Sequence, residues 1–203
     1  MKGEAAIVII FLLLAAGAGA LGYLVAPQKH GYADFYAPAI TDGGQGALVK
    51  FRVSLAEGSG RTLVNIQNSR YREDTENALL KARKNAEDLI GIKLEYYDTI
   101  LDVESIAPEV GGESAGAMFA VGIVAAYTGK SVNQDAIMSA GITNDGLLFA
   151  VEGIEEKILA AKSNGKTKFV VSKSQAIKNA QDITGIEIIR VSNVKEATEQ
   201  MLA

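Results

Sequence analysis

The sequence predicts an α+β (mixed α/β) fold preceded by one membrane-crossing segment. Alternating apolar and polar runs separated by turn residues mark hairpins, and apolar residues at helical spacing mark connecting helices. The two kinds of element interleave without a regular strand–helix repeat, which points to mixed strand directions around one core. The 203-residue chain begins with an uncharged stretch. The remaining residues, roughly 175, are ample for a single core.

That first stretch, "AAIVIIFLLLAAGAGALGYLVA", has no charged side chain from Ala5 to Gln28 and is long enough to cross a bilayer as a helix. Lys2 supplies a short positive flank, and Ala16-Gly17-Ala18 and Ala18-Gly19-Ala20 offer small-residue cleavage sites. The apolar run continues past them through Leu21, Tyr23, Leu24 and Val25, so an uncleaved signal anchor over residues 1–28 is expected. The α-amine and Lys2 lie on one flank with Glu4; Lys29, Asp34 and Asp42 lie on the other. Counting positive charges puts the N-terminus in the cytoplasm and the large domain outside. Residues 29–45 carry Gly, Asp and Pro without periodicity and read as a linker, and 46–203 as the folded domain.

Within the domain, "ALVKFRVSLAEGSGRTLVNIQN" has two alternating runs around Glu57-Gly58-Ser59-Gly60, a hairpin signal. "DTENALLKARKNAEDLIGI" is an amphipathic helix that starts near Asp74 or Thr75 and stops at Gly91. "KLEYYDTILDVES" is strand-like and leads to Pro108 and a glycine-rich turn. From Ala115 to Thr128 there is no charge at all, so this helix reads as buried on every side. "AIMSAGITNDGLLFAVEG" flanks Asn144-Asp145-Gly146, a hairpin turn. A helix over 154–163, the strand "KFVVSK", a helix "SQAIKNAQDI" and the strand "IEIIRV" follow. The last helix, "NVKEATEQMLA", has the spacing of a capping box between Asn193 and Glu196.

Composition narrows the chemistry. Without cysteine there is no disulfide, Cys-zinc site or thiol nucleophile, and the single histidine, His30, excludes histidine metal clusters. A net charge of −4 with no basic stripe argues against nucleic acid; "KARK" shares its helix with Glu76, Glu87 and Asp88. "TGKS" and "NGKT" resemble phosphate loops, but Val124 and Ala160 stand where a first glycine is needed, so no nucleotide site is expected. "SNGK" and "SNVK" match S-x-x-K without its companion motifs.

Two residues remain as candidates. Ser114 follows Gly111-Gly112-Glu113 at the start of the uncharged helix, where an N-cap and a nucleophile are both reasonable roles. On the helix from Ile154, Ile158 and Ala161 fall within about 40° of Ile154, and Lys157 lies about 60° away on that apolar side. Such a lysine either snorkels or is held dry. A dry amine loses its proton more easily and can do the work of a histidine in a serine triad.

"GGESAGAMFAVGIVAAYTGKSV", "IMSAGITNDGLLFAVEGIEEKILAAK" and "KFVVSK", in this order, resemble the proteolytic domain of Lon proteases over residues 46–203. The resemblance implies Ser114 as nucleophile, Lys157 as general base and Thr143 as the threonine that hydrogen-bonds and directs Lys157. It places Gly112, Glu113 and Ala115 in the turn that supplies oxyanion donors and accommodates substrate. It implies no metal and no cofactor. Gly111-Gly112-Glu113 stand where many members have Asp-Gly-Pro; the membrane-type archaeal branch is the nearer match. Gly141 replaces a glutamate and Glu152 a glycine of the family pattern. With no ATPase module ahead of the domain, the chain looks like a stand-alone, membrane-anchored Lon-like serine endopeptidase of a kind expected in archaea. On this reading it is ATP-independent, acts on unfolded or membrane-associated polypeptides, and assembles as a homo-oligomer, a hexameric ring by analogy. A non-catalytic, membrane-anchored peptide-binding or assembly module and a narrow-specificity processing peptidase are the alternatives.

Overall fold

A computed structural model describes residues 31–66, 70–71, 73–104, 109–110, 112–178 and 180–203. The expected anchor over 1–28 lies outside them. Among the described residues no helix is long and apolar enough to cross a membrane. The strands are β1 (Tyr32–Ile40), β2 (Gly46–Glu57), β3 (Thr62–Ile66), β4 (Arg70–Tyr71), β5 (Tyr97–Glu104), β6 (Glu109–Val110), β7 (Ala136–Ser139), β8 (Gly141–Ile142), β9 (Leu148–Phe149), β10 (Lys168–Ser172) and β11 (Glu187–Val191). The helices are α1 (Glu73–Ile90), α2 (Gly116–Thr128), α3 (Ile154–Ser163) and α4 (Val194–Met201).

A mixed sheet in the order β1-β2-β5-β3 backs α1 and α2, and a parallel sheet β11-β10-β7 backs α3. The mixed α/β architecture agrees with the sequence reading. Three local expectations do not hold. The segment read as a linker contains β1, which pairs antiparallel with β2 along its whole length. Its inward residues Ala33, Phe35 and Ala37 are buried, and Phe35 stacks on Phe51. The hairpin expected around Glu57–Gly60 is not formed either, because β5 lies between β2 and β3 and runs parallel to β3. Asp98 of β5 explains the detour. Its carboxylate accepts the N–H groups of Ser59 and Arg61 at 2.9 Å and the Arg61 guanidinium, drawing the loop across the end of β5.

The uncharged helix is the centre of the molecule: α2 is buried from Gly116 to Ala126. Phe119 meets Phe35 and Phe51 at ring-centroid distances of 6.4 and 5.3 Å. Such ring clusters add to the burial of each side chain, itself worth about 1.5–3 kcal/mol. In the parallel sheet, Phe169 and Val171 face α3 while Val170 faces the main core. Burial on both faces explains the unbroken apolar run of β10.

The helix expected over "SQAIKNAQDI" is replaced by a turn and a short 3-10 turn at Ala180–Asp182 among its described residues. Gln175 is drawn away to bond Val151, so its side chain serves a distant backbone and no helix starts there. The last helix is capped as expected: the Glu196 N–H donates to Asn193 Oδ1 at 3.0 Å. Glu196 reaches back one residue further than the usual box and accepts the Ser192 N–H at 2.7 Å.

Candidate active site

Ser114 sits in a 3-10 turn, Glu113–Ala115, that runs into α2. The turn needs Gly112, whose φ of 102° lies where L side chains are strained. The N-cap position of α2 belongs to Ala115, and no side chain caps it. Ser114 is therefore not spent on capping, and its hydroxyl makes no hydrogen bond among the described residues. Its carbonyl is held instead: the Ala140 N–H donates to it at 3.0 Å, and the hydroxyl of fully buried Ser139 lies 3.5 Å away. The Ala117 N–H donates to the Ala140 carbonyl. These contacts latch the start of α2 to the bend between β7 and β8.

α1 reaches the same turn from the other side. The Asp74 carboxylate accepts the Gly112 N–H at 3.0 Å, and Lys81 pairs with Glu113. Further along α1, Asn85 donates to the Thr143 carbonyl at 2.9 Å and Lys84 to the Asn144 carbonyl at 2.8 Å. One helix thus carries both the Ser114 turn and the hairpin between β8 and β9. Within the turn expected to supply oxyanion donors and accommodate substrate, the Gly112 N–H is occupied by Asp74.

Lys157 lies on the first turn of α3, its N–H bonded to the Gly153 carbonyl at 3.1 Å. Gly46 of β2 lets α3 approach closely; a Cβ there would stand 2.2 Å from the Glu156 carbonyl oxygen. The Lys157 side chain is 4% exposed and makes no hydrogen bond among the described residues. Burial pulls its pKa down from the ordinary 10.5 to about 8, against the opposing attraction of Glu152. At this exposure the stem is enclosed, which separates Lys157 from a fully solvated surface lysine.

Ser114 and Lys157 form no hydrogen bond with each other in this state. The Thr143 hydroxyl, expected to hydrogen-bond Lys157, is bonded within its own turn. It bonds Asp145, lies 3.1 Å from the Leu147 carbonyl and accepts the Leu147 N–H at 3.0 Å. The tight Thr143–Leu147 turn brings these groups within reach of one another, and that claims the oxygen. Ser139, Lys81 and Asp74 were missed by the sequence reading. A serine inside a four-residue apolar strand was the one available signal for Ser139; the other two are surface-type residues on an amphipathic helix. Among the described residues no three His, Cys, Asp or Glu side chains converge as metal ligands. The arrangement offers an uncommitted hydroxyl on a backbone-rich turn and a dry amine that is partly neutral near neutral pH.

Residues 39–203 match the family described as the Lon protease (S16) C-terminal proteolytic domain. Among similar proteins, a Lon protease of Finegoldia magna is 29% identical over 165 residues, covering 77% of this chain and 21% of its own length. A Lon protease of Syntrophomonas wolfei is 29% identical over 198 residues, covering 92% of this chain and 24% of its own. Lon protease 1 of Bacillus subtilis is 30% identical over 166 residues, covering 77% and 21%. The chain thus spans about a fifth to a quarter of the length of the relatives it matches.

Proposed function

Because the chain belongs to the Lon protease proteolytic-domain family, we propose that it is a serine endopeptidase whose nucleophile is Ser114 and whose general base is Lys157. Neutral Lys157 takes the Ser114 hydroxyl proton as Oγ attacks the peptide carbonyl carbon. Backbone N–H groups of the Glu113–Ala115 turn hold the oxyanion at the positive end of α2. The Lys157 ammonium then gives its proton to the leaving amine, the C–N bond breaks, and an acyl-enzyme remains. Water, deprotonated by the regenerated amine, attacks the ester and releases the second product.

The observation that supports this reading most directly is the burial of Lys157 with no carboxylate bonded to its amine. An isolated buried ammonium is costly, so such a site favours the neutral base that the reaction requires. On the same reading the substrates are unfolded or membrane-associated polypeptides, cut without ATP. The apolar run at 5–28 tethers the domain to a bilayer on its outer side, and copies associate as a homo-oligomer.

Casein degradation by the wild type, Ser114→Ala and Lys157→Ala tests the chemistry, together with labelling by an active-site serine reagent. Cleavage and labelling should be lost in both variants. Equal inactivity of all three proteins across pH 6–10 with several unfolded substrates would overturn the proposal.

A further inference from the structure

The lead-in to α3, residues 150–153, joins β9 to the helix that carries Lys157. Among the described residues, the peptide groups of Val151 bond to one side chain only. The Val151 N–H donates to Gln175 Oε1 at 2.8 Å, and Gln175 Nε2 donates to the Val151 carbonyl at 3.1 Å. The second Nε2 proton goes to the Ala176 carbonyl at 3.1 Å. An amide offers an acceptor and two donors, and all three are used in a side chain only 7% exposed.

The support behind Gln175 is itself fixed. Its N–H donates to the Ser172 carbonyl at 2.9 Å, and its own carbonyl accepts Arg190 Nη1. The buried Ser172 hydroxyl donates to the Leu148 carbonyl at 2.9 Å, tying β10 to β9. A second tether lies beside the first: the Lys178 N–H donates to Glu155 Oε1 at 2.7 Å. The segment after β10 thus grips the lead-in and the first turn of α3.

We propose that Gln175 is a positioning residue for Lys157, its amide clamping Val151 and so fixing where α3 begins. The inference rests on the reading of Lys157 as the general base. A first turn aims its side chains according to where the helix starts, and small displacements of a catalytic group cost large factors in rate. Releasing the clamp frays that turn and admits water to the amine. Two electrostatic consequences oppose each other: hydration favours the ammonium, while a displaced Glu152 favours it less. Burial is the larger influence on Lys157, so hydration wins. Of the charged groups of β1 and β2, which pack against α3, Asp34 pairs with Arg52 and Lys50 with Glu104, while Glu57 is exposed at the last position of β2.

The test uses the intact chain carrying Gln175→Met, which keeps the length and removes all three bonds. Arg190→Met is the structural control, loosening the same segment while leaving the amide in place. Turnover of a fluorogenic peptide is measured alongside the titration of Lys157 by carbon-13 NMR of labelled lysine. Gln175→Met should lower kcat about 10-fold or more with KM within about 2-fold. It should also move the Lys157 midpoint upward by about half a pH unit or more, while Arg190→Met leaves the midpoint in place. An unchanged midpoint and kcat in Gln175→Met, or an equal shift in Arg190→Met, would overturn the clamp. If Gln175→Met does not fold, Gln175→Glu, which still accepts the Val151 N–H, is held to the kcat and KM criteria alone, because its added carboxylate raises the Lys157 midpoint by itself. A wild-type midpoint near 10.5 would instead remove the dry base itself, which separates failure of the function from failure of the clamp.

Discussion

Replacing Lys157 with Met removes an amine and keeps an unbranched side chain of similar length in the same apolar surroundings. In the unfolded chain Lys157 holds its proton up to pH 10.5; in the folded chain it releases it at about 8. Between those values the unfolded state binds more protons, so wild-type stability rises with pH. Below about pH 8 the folded protein carries the full cost of a buried ammonium. At about 1.4 kcal/mol per pH unit, that cost is about 3 kcal/mol as an upper bound. Met has no such ionisation. The stability of Lys157→Met relative to wild type should therefore be more favourable at pH 6.5 than at pH 10.5, by up to about 3 kcal/mol. Urea unfolding of both proteins at the two pH values measures this, and comparing the variants cancels the titration of every other group. A difference that is the same at both pH values would show that Lys157 keeps its ordinary ionisation when folded, and the base reading would lose its physical ground.

Three further outcomes follow from the same geometry. The kcat/KM of the wild type should rise through a single ionisation at about pH 8, with only about a tenth of the plateau reached at pH 7, as read from a pH–rate profile. Asp98, held near 2 by the Arg61 side chain and the N–H groups of Arg61 and Ser59, stabilises the fold above its ordinary value of 3.8, and that contribution is lost as pH falls through about 2. Asp98→Asn should lose this acid dependence in circular dichroism while retaining activity. Phe119→Ala empties the ring cluster over Phe35 and Phe51 and should cost about 3–5 kcal/mol in denaturant unfolding.

Elements with a strong local signal were legible: α1 through its apolar spacing, α2 through its uncharged length, and β10 through its continuous run. β1 escaped because its inward positions are filled largely by alanine and interrupted by Pro38, which blunts the alternation on which strand recognition rests. The β2–β3 error has a different origin. Two alternating runs with a glycine turn look like a hairpin from within, and nothing local shows a third strand inserting between them. The missing helix after β10 yields to a long-range bond between Gln175 and Val151 that no window of sequence contains. At the site, the wheel placed Lys157 on the apolar edge and the fold buries it. The bonds of the Thr143 hydroxyl within its own tight turn are not something its spacing reveals.

Asp74 and Asn85 stand eleven positions apart on α1, about 16 Å at the rise of an α-helix. The gap between the serine-bearing turn and the β8–β9 hairpin is thus measured by a stiff rod, whose length thermal agitation scarcely alters. A neighbouring molecule leaning on that rod would displace both rims of the candidate site together and leave their spacing intact.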